Sequence, residues 1–185
     1  MLGALRQGRS ETTPVIVLAG VQGGEGKSLF LKPLFSLFDG FVFNVPKTGN
    51  FPLLDLMGAK VAFLDEYRFN PDVLSWADHC LWFDGSHVPI GRPQNEKGPS
   101  GNMTYKGTAP IFITTKLADM KDLEYQAQMN PDTGLPWDTD ASMLLRRLKV
   151  FKFGCRKAKP SKQMKFCSRC FTNLLYSNAT EGVGM

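Results

Sequence analysis

The segment Gly20-Val-Gln-Gly-Gly-Glu-Gly-Lys27-Ser28 constrains this chain more than any other feature, because it follows the apolar run Val15-Ile-Val-Leu-Ala19. A buried strand that ends in a glycine-rich turn and passes into a helix is a cradle for a phosphate chain. Glycines let backbone N–H groups approach phosphate oxygens, and the following helix directs its positive dipole end at them. On this reading Gly23, Gly24, Glu25, Gly26, Lys27, Ser28 and Leu29 form the ATP-binding segment. Lys27 reaches the β- and γ-phosphates, and the Ser28 hydroxyl ligates Mg²⁺. The usual pattern has four residues between its two glycines. Gly20 and Gly26 enclose five, so the loop reads as a variant one residue longer, kept pliable by Gly23 and Gly24. A surface glycine turn ahead of a Lys-Ser helix start is the competing reading, and the strand and helix context disfavours it.

The 185 residues, 43% hydrophobic and 21% charged, suffice for one full core but not for two. No secretory leader and no apolar run long enough to span a bilayer is legible, so no membrane and an intracellular location are expected, with the nucleus left open. Four cysteines without a secretory signal point to a reducing compartment. The net charge of +5 is unevenly placed. From Ala141 onward the only acid is Glu181, against Arg146, Arg147, Lys149, Lys152, Arg156, Lys157, Lys159, Lys162, Lys165 and Arg169. Such a segment attracts polyanions and gives salt-dependent nucleic-acid binding. A solvated tail or a nuclear import signal is the alternative. The organisation expected is a flexible segment over 1–13, a core over 14–154 and a basic, cysteine-containing tail over 155–185.

Apolar spacing predicts a helix over Lys27–Phe38, a strand over Phe41–Val45, a short helix over Pro52–Met57 and a strand over Lys60–Leu64 that ends in Asp65-Glu66. Asn70 and Pro71 read as the start of a helix running to Leu81. His87–Ile90 and Met103–Lys106 flank a polar loop and suggest a long hairpin. Ala109–Thr115 is a buried strand, Leu117–Gln126 a weak helix and Asn130–Asp140 a loop. Ala141–Leu145 is a short helix, and Leu148–Phe153 an alternating strand. Strands alternating with helices imply an α/β sandwich around a mostly parallel sheet, with the ligand at the carboxyl ends of the strands.

Asp65 and Glu66 supply the second half of the chemistry. Hydrolysis of a nucleoside triphosphate needs a carboxylate to hold Mg²⁺ and a base to orient the attacking water. Asp65 is assigned to the metal and Glu66 to the water. The bland reading, a solvated Asp-Glu pair opening a loop, is outweighed by the apolar strand that precedes it and by its position after Lys27.

Taken together, Gly20–Ser28, Val61–Glu66, the hairpin segment and Pro110–Lys116 resemble motifs A, B, B′ and C of superfamily 3 helicases, in the form found in parvovirus-type non-structural replication proteins and their integrated relatives. Asn50-Phe51-Pro52 and Arg147-Leu-Lys-Val-Phe-Lys-Phe153 add to the likeness. The resemblance implies a P-loop NTPase of AAA+-like type, a three-layer α/β sandwich with an inserted β-hairpin. It implies a homo-oligomer, hexameric when assembled, that hydrolyses ATP to translocate on single-stranded DNA, with RNA as the open alternative. Arg147 takes the family's arginine position, acting on a neighbour's site, with Arg146 beside it. The hairpin would track DNA, with Lys97 gripping a backbone phosphate and Arg92 and Lys106 in support. In motif C the family's terminal asparagine is replaced: Lys116 stands there, preceded by Thr115, so either Thr115 bonds the attacking water or Lys116 contacts the γ-phosphate. The family's helical oligomerisation domain has no counterpart ahead of residue 14. The expectation is therefore an isolated core, a fragment of a longer replication protein, or a chain that assembles on DNA.

Cys155, Cys167 and Cys170 make an incomplete Zn²⁺ set; a fourth ligand is missing nearby, so free thiols are preferred. Two other functions remain open at this stage. A P-loop kinase is disfavoured by the adjacent Asp-Glu pair and the lack of an arginine-rich lid. A nucleotide-binding, hydrolysis-poor nucleic-acid module is favoured by the longer loop and by Lys116.

Overall fold

The computed structural model describes residues 13–21, 23–28, 31, 42–44, 53, 56–90 and 103–154, and of 42–44 the backbone alone. The strands in chain order are β1 (Val15–Gly20), β2 (Val42–Asn44), β3 (Val61–Leu64), β4 (His87–Ile90), β5 (Met103–Lys106), β6 (Ile111–Lys116) and β7 (Leu148–Phe153). The helices are α1 (Trp76–Asp84), α2 (Lys121–Gln126) and α3 (Thr139–Arg147), with a 3₁₀ turn over Leu117–Met120 leading into α2.

Every residue of β1 is buried, as a strand covered on both faces requires. It lies inside a parallel five-stranded sheet of order β2-β3-β6-β1-β7, with Gly20 in register with Lys116 on one side and Phe153 on the other. Alternate side chains of these strands go to opposite faces, which divides the core in two. Val15, Val17, Ala19, Ala62, Leu64, Ile111 and Ile113 pack against Trp76, Cys80 and Phe83 of α1, Leu123 of α2 and Leu144 of α3. Ile16, Leu18, Val61, Phe63 and Phe112 pack with the helical Leu31 on the other face, where the rings of Phe63 and Phe112 stack at 5.6 Å. The chain is an α/β protein around a parallel sheet, as its pattern implies. β4 and β5 form a separate antiparallel pair with Val88 opposite Tyr105, the expected hairpin to the residue. Its tip, including Arg92 and Lys97, lies outside the described residues. So do Leu29, most of the expected Lys27–Phe38 and Pro52–Met57 helices, and Cys155, Cys167 and Cys170.

Two helices differ from expectation. Asn70 does not cap a helix: its side chain accepts from Asp72 N–H at 2.9 Å and closes a turn. α1 begins five residues later because Ser75 is the better cap. The Ser75 hydroxyl accepts from Asp78 N–H at 3.1 Å and donates to the Asp78 carboxylate at 2.8 Å. Trp76, His79, Cys80 and Phe83 then fall on one buried face. α3 is longer than the expected Ala141–Leu145, since Asp138 accepts from Ala141 N–H at 2.9 Å and starts it at Thr139. At the end of α1, Gly85 adopts φ 75° and its N–H bonds back to Leu81 and Trp82 carbonyls. The exit of the hairpin crosses there, and a Cβ on Gly107 would sit 3.0 Å from the Trp82 carbonyl oxygen.

Candidate phosphate-binding site

At the carboxyl ends of β1, β3 and β6 the chain forms a cleft of about 270 Å³ lined by Gly23, Gly24, Gly26, Lys27, Ser28, Glu66, Thr114, Thr115 and Lys116. Strand order decides its width. β6 separates β1 from β3, so the backbones of the two strand ends stand about two strand spacings, roughly 10 Å, apart, a gap that their side chains span. Lys116 closes the middle of that gap.

The loop takes the backbone shape that its glycines allow. Gly23, Gly24 and Gly26 have φ of 87°, 74° and 89°, in the left-handed region that residues with a Cβ avoid. Gly20 is closely approached instead: a Cβ there would meet the ends of the Glu25 and Lys27 side chains, which would have to shift. Lys27 and Ser28 are helical, so the loop passes directly into a helix start. Within the loop the Lys27 ammonium donates to Glu25 Oε2 at 2.8 Å, and Gly23 N–H donates to the same oxygen at 3.1 Å.

Opposite the loop, β6 fixes the acidic turn through backbone and hydroxyl groups. Glu66 has φ 49°, and among the described residues it alone reaches positive φ without being glycine. Its N–H donates to Thr114 Oγ1 at 2.9 Å, and the Thr114 hydroxyl in turn donates to the Asp65 carboxylate. Tyr67 N–H donates to the Thr114 carbonyl at 2.8 Å, and Thr115 Oγ1 donates to the Tyr67 carbonyl at 2.7 Å. Backbone strain of this kind, about 1–3 kcal/mol, persists only where surrounding contacts determine it, and these bonds do so. Ser28 Oγ donates to Asp65 Oδ1 at 3.2 Å, which joins the loop to the acidic strand.

Tyr67 is anchored further. Its hydroxyl meets His79 Nε2 at 2.7 Å, while His79 Nδ1 donates to the Ser75 carbonyl at 2.9 Å. His79 is therefore an Nδ1–H tautomer that accepts from the tyrosine. Burial lowers its pKa to about 4 and raises that of Tyr67 well above its ordinary value.

Of the residues singled out from sequence, Gly23, Gly24, Gly26, Lys27, Ser28, Glu66, Thr115 and Lys116 line one cleft, with Asp65 bonded to Ser28 and Glu25 to Lys27. Thr115 does not turn its donor toward the cleft; that proton goes to the Tyr67 carbonyl. Thr114 is the member that sequence reasoning missed. Lys106 pairs with His87 at the base of the hairpin, remote from its tip. Arg147 is not among the cleft residues. It precedes β7, whose first residue lies beside Val15, so it sits at the amino ends of the strands, on the opposite rim of the sheet from Gly20. There it forms a bidentate pair with Asp84, with Nη2 2.6 Å from Oδ2, and donates to the Met143 carbonyl at 2.8 Å. The hydrogen bond that Arg147 donates to Asp84 raises the Arg147 pKa. Arg146 beside it is exposed.

Among the described residues, no cluster of three metal-ligating side chains and no helix long and apolar enough to cross a membrane is present. No known family and no curated protein matches the chain. Among solved structures, the fold is similar to the apo A form of the NrS-1 C-terminal region, with a TM-score of 0.55 and 16% identity over 100% of this chain and 40% of that one. A second structure of that region gives a TM-score of 0.53 and 17% identity over 100% and 38%. This chain thus spans about two-fifths of those proteins, and the likeness is one of fold.

Proposed function

We propose that this chain is a P-loop NTPase: the ATP-hydrolysing core of a superfamily 3 helicase-like motor that moves on single-stranded nucleic acid in support of DNA replication. The observation that carries this reading is the convergence, across one intervening strand, of a left-handed glycine loop bearing Lys27 and Ser28 with the constrained Asp65-Glu66 turn and Lys116. A triphosphate laid along the loop meets backbone N–H groups and two ammonium groups, which favours charge on the transferred phosphoryl. Ser28 and Asp65 offer two hard oxygen donors already within hydrogen-bond distance, a set suited to Mg²⁺. The metal would neutralise phosphate charge there. Glu66, on the far wall, holds a water in line with the terminal phosphate and takes its proton. The replication setting rests on the motif resemblance of Gly20–Ser28, Val61–Glu66 and Pro110–Lys116. Translocation through the hairpin, ring assembly and an Arg147 contribution in trans belong to the same proposal.

Phosphate release from Mg-ATP, with and without single-stranded DNA, across protein concentration and beside Lys27→Ala, tests it. Turnover that rises with DNA, climbs more than linearly with protein and vanishes in Lys27→Ala is expected. Turnover unchanged by Lys27→Ala sinks the assignment of the loop. A second reading, nucleotide binding without appreciable hydrolysis, is favoured by Lys116 at the end of β6; ATP binding with no phosphate released under any of these conditions would select it.

A further inference from the structure

The cradle at the end of β1 already holds an anion, and it belongs to the chain itself. Glu25 Oε2 accepts both the Gly23 N–H, at 3.1 Å, and the Lys27 ammonium, at 2.8 Å. These are the two kinds of donor that a phosphate oxygen takes from such a loop, a backbone N–H of a left-handed turn and the lysine that follows it. The side chains of Lys27 and Glu25 are 10% and 5% exposed, so this is an inserted carboxylate rather than a solvated surface pair. Both charged groups lie directly over Gly20, where a Cβ would touch them.

Resting on the reading of this loop as a phosphate site, we propose that Glu25 is an internal competitor for the cradle, and that a triphosphate binds by displacing its carboxylate from Lys27 and the Gly23 N–H. The Gly23 N–H is a single donor, and although the Lys27 ammonium has three, a carboxylate and a triphosphate drawn to it together repel each other. The loop therefore exists in a self-paired and a ligand-ready arrangement, and the observed affinity is the intrinsic one reduced by the fraction of loops in the second. Glu25→Gln keeps the shape and removes the charge; Glu25→Ala removes the competitor entirely.

Titration calorimetry on the full chain, with Mg-ATP and separately with magnesium-free inorganic tripolyphosphate, compares wild type, Glu25→Gln, Glu25→Ala, Lys27→Ala and the Glu25→Gln/Lys27→Ala double variant. Thermal melts check that each variant is folded. Both Glu25 variants are expected to bind both ligands about tenfold tighter than wild type, as for a competing state that holds about nine loops in ten. In the Lys27→Ala background the Glu25 substitution should bring a smaller gain, because only the Gly23 N–H is left for the carboxylate to occupy. Wild-type binding that is lost in Lys27→Ala but equal or weaker in both Glu25 variants overturns the competitor and leaves the phosphate site standing. Failure of wild type and both Glu25 variants to bind either ligand overturns the site and the competitor together.

Discussion

Glu66 sits in the left-handed region because Thr114 makes that turn worth adopting. The Thr114 hydroxyl accepts from Glu66 N–H and donates to Asp65, so one side chain orients both acids. Thr114→Val keeps the shape and the β-branch but removes both bonds. It is expected to cost about 1–3 kcal/mol of stability, read by urea unfolding. On the proposed function it should also lower kcat for ATP at least about tenfold, since it disturbs Glu66, assigned to the water, together with Asp65, assigned to the metal. Equal loss in kcat/KM through KM alone would place Thr114 in ground-state binding instead. His79, one layer deeper, gives a prediction in pH. Its folded pKa of about 4 lies below its ordinary 6.5, because burial penalises the charged ring. Between those values the unfolded chain binds the extra proton, so stability rises with pH. The contribution is complete above pH 6.5, falls as the pH drops toward 4 and is gone below it, about 3 kcal/mol in all. His79→Gln should flatten that part of the urea-midpoint-against-pH curve; an unchanged slope would remove His79 as its source.

The elements legible in the sequence are those whose pattern is local. β4, β5 and β7 appear where alternation places them, and the loop with its left-handed glycines follows from glycine itself. What the sequence hid is what tertiary partners decide. Pro71 suggested a helix start, yet the Ser75–Asp78 cap and the buried face of Trp76, His79 and Phe83 begin it later. Thr114 reads as one more β-branched strand residue until its neighbour strand brings Asp65 alongside. Arg147 reads as an available cation, but Asp84, distant in sequence, binds it where α1 meets α3. This pair allows a structural clamp to be told from an arginine that acts on a neighbouring subunit. Arg147→Ala and Asp84→Asn should each lower stability, by about 1–3 kcal/mol, because each leaves a partly buried partner charge or donor uncompensated. If Arg147 acts in trans, only Arg147→Ala lowers kcat, by about tenfold or more, in assays at high protein concentration. Equal effects of both variants on kcat, tracking their stability, would confine the residue to the clamp.

At the scale of the molecule, charge is unevenly distributed along the chain. The cleft gathers its acids and lysines at the carboxyl rim of the sheet, and Arg146 and Arg147 lie at the amino rim; β7 then carries the chain back to the carboxyl rim, where Phe153 lies beside Gly20 and the basic series of the sequence follows. The series beyond the sheet holds Arg156, Lys157, Lys159, Lys162, Lys165 and Arg169, with Glu181 the only acid. On single strands each neutralised phosphate adds about 0.7 to the slope of log affinity against log salt. If all six of these cations contact a strand, their replacement by Gln lowers that slope by about 4. The readout is fluorescence anisotropy of a labelled single-stranded oligonucleotide titrated at several salt concentrations. The basal, DNA-independent ATP turnover of the same variant, measured alongside, tells a loss of strand binding from a loss of the ATPase itself. A salt slope unchanged by all six replacements would assign strand binding to the hairpin and the sheet rim, and leave the basic tail a solvated extension.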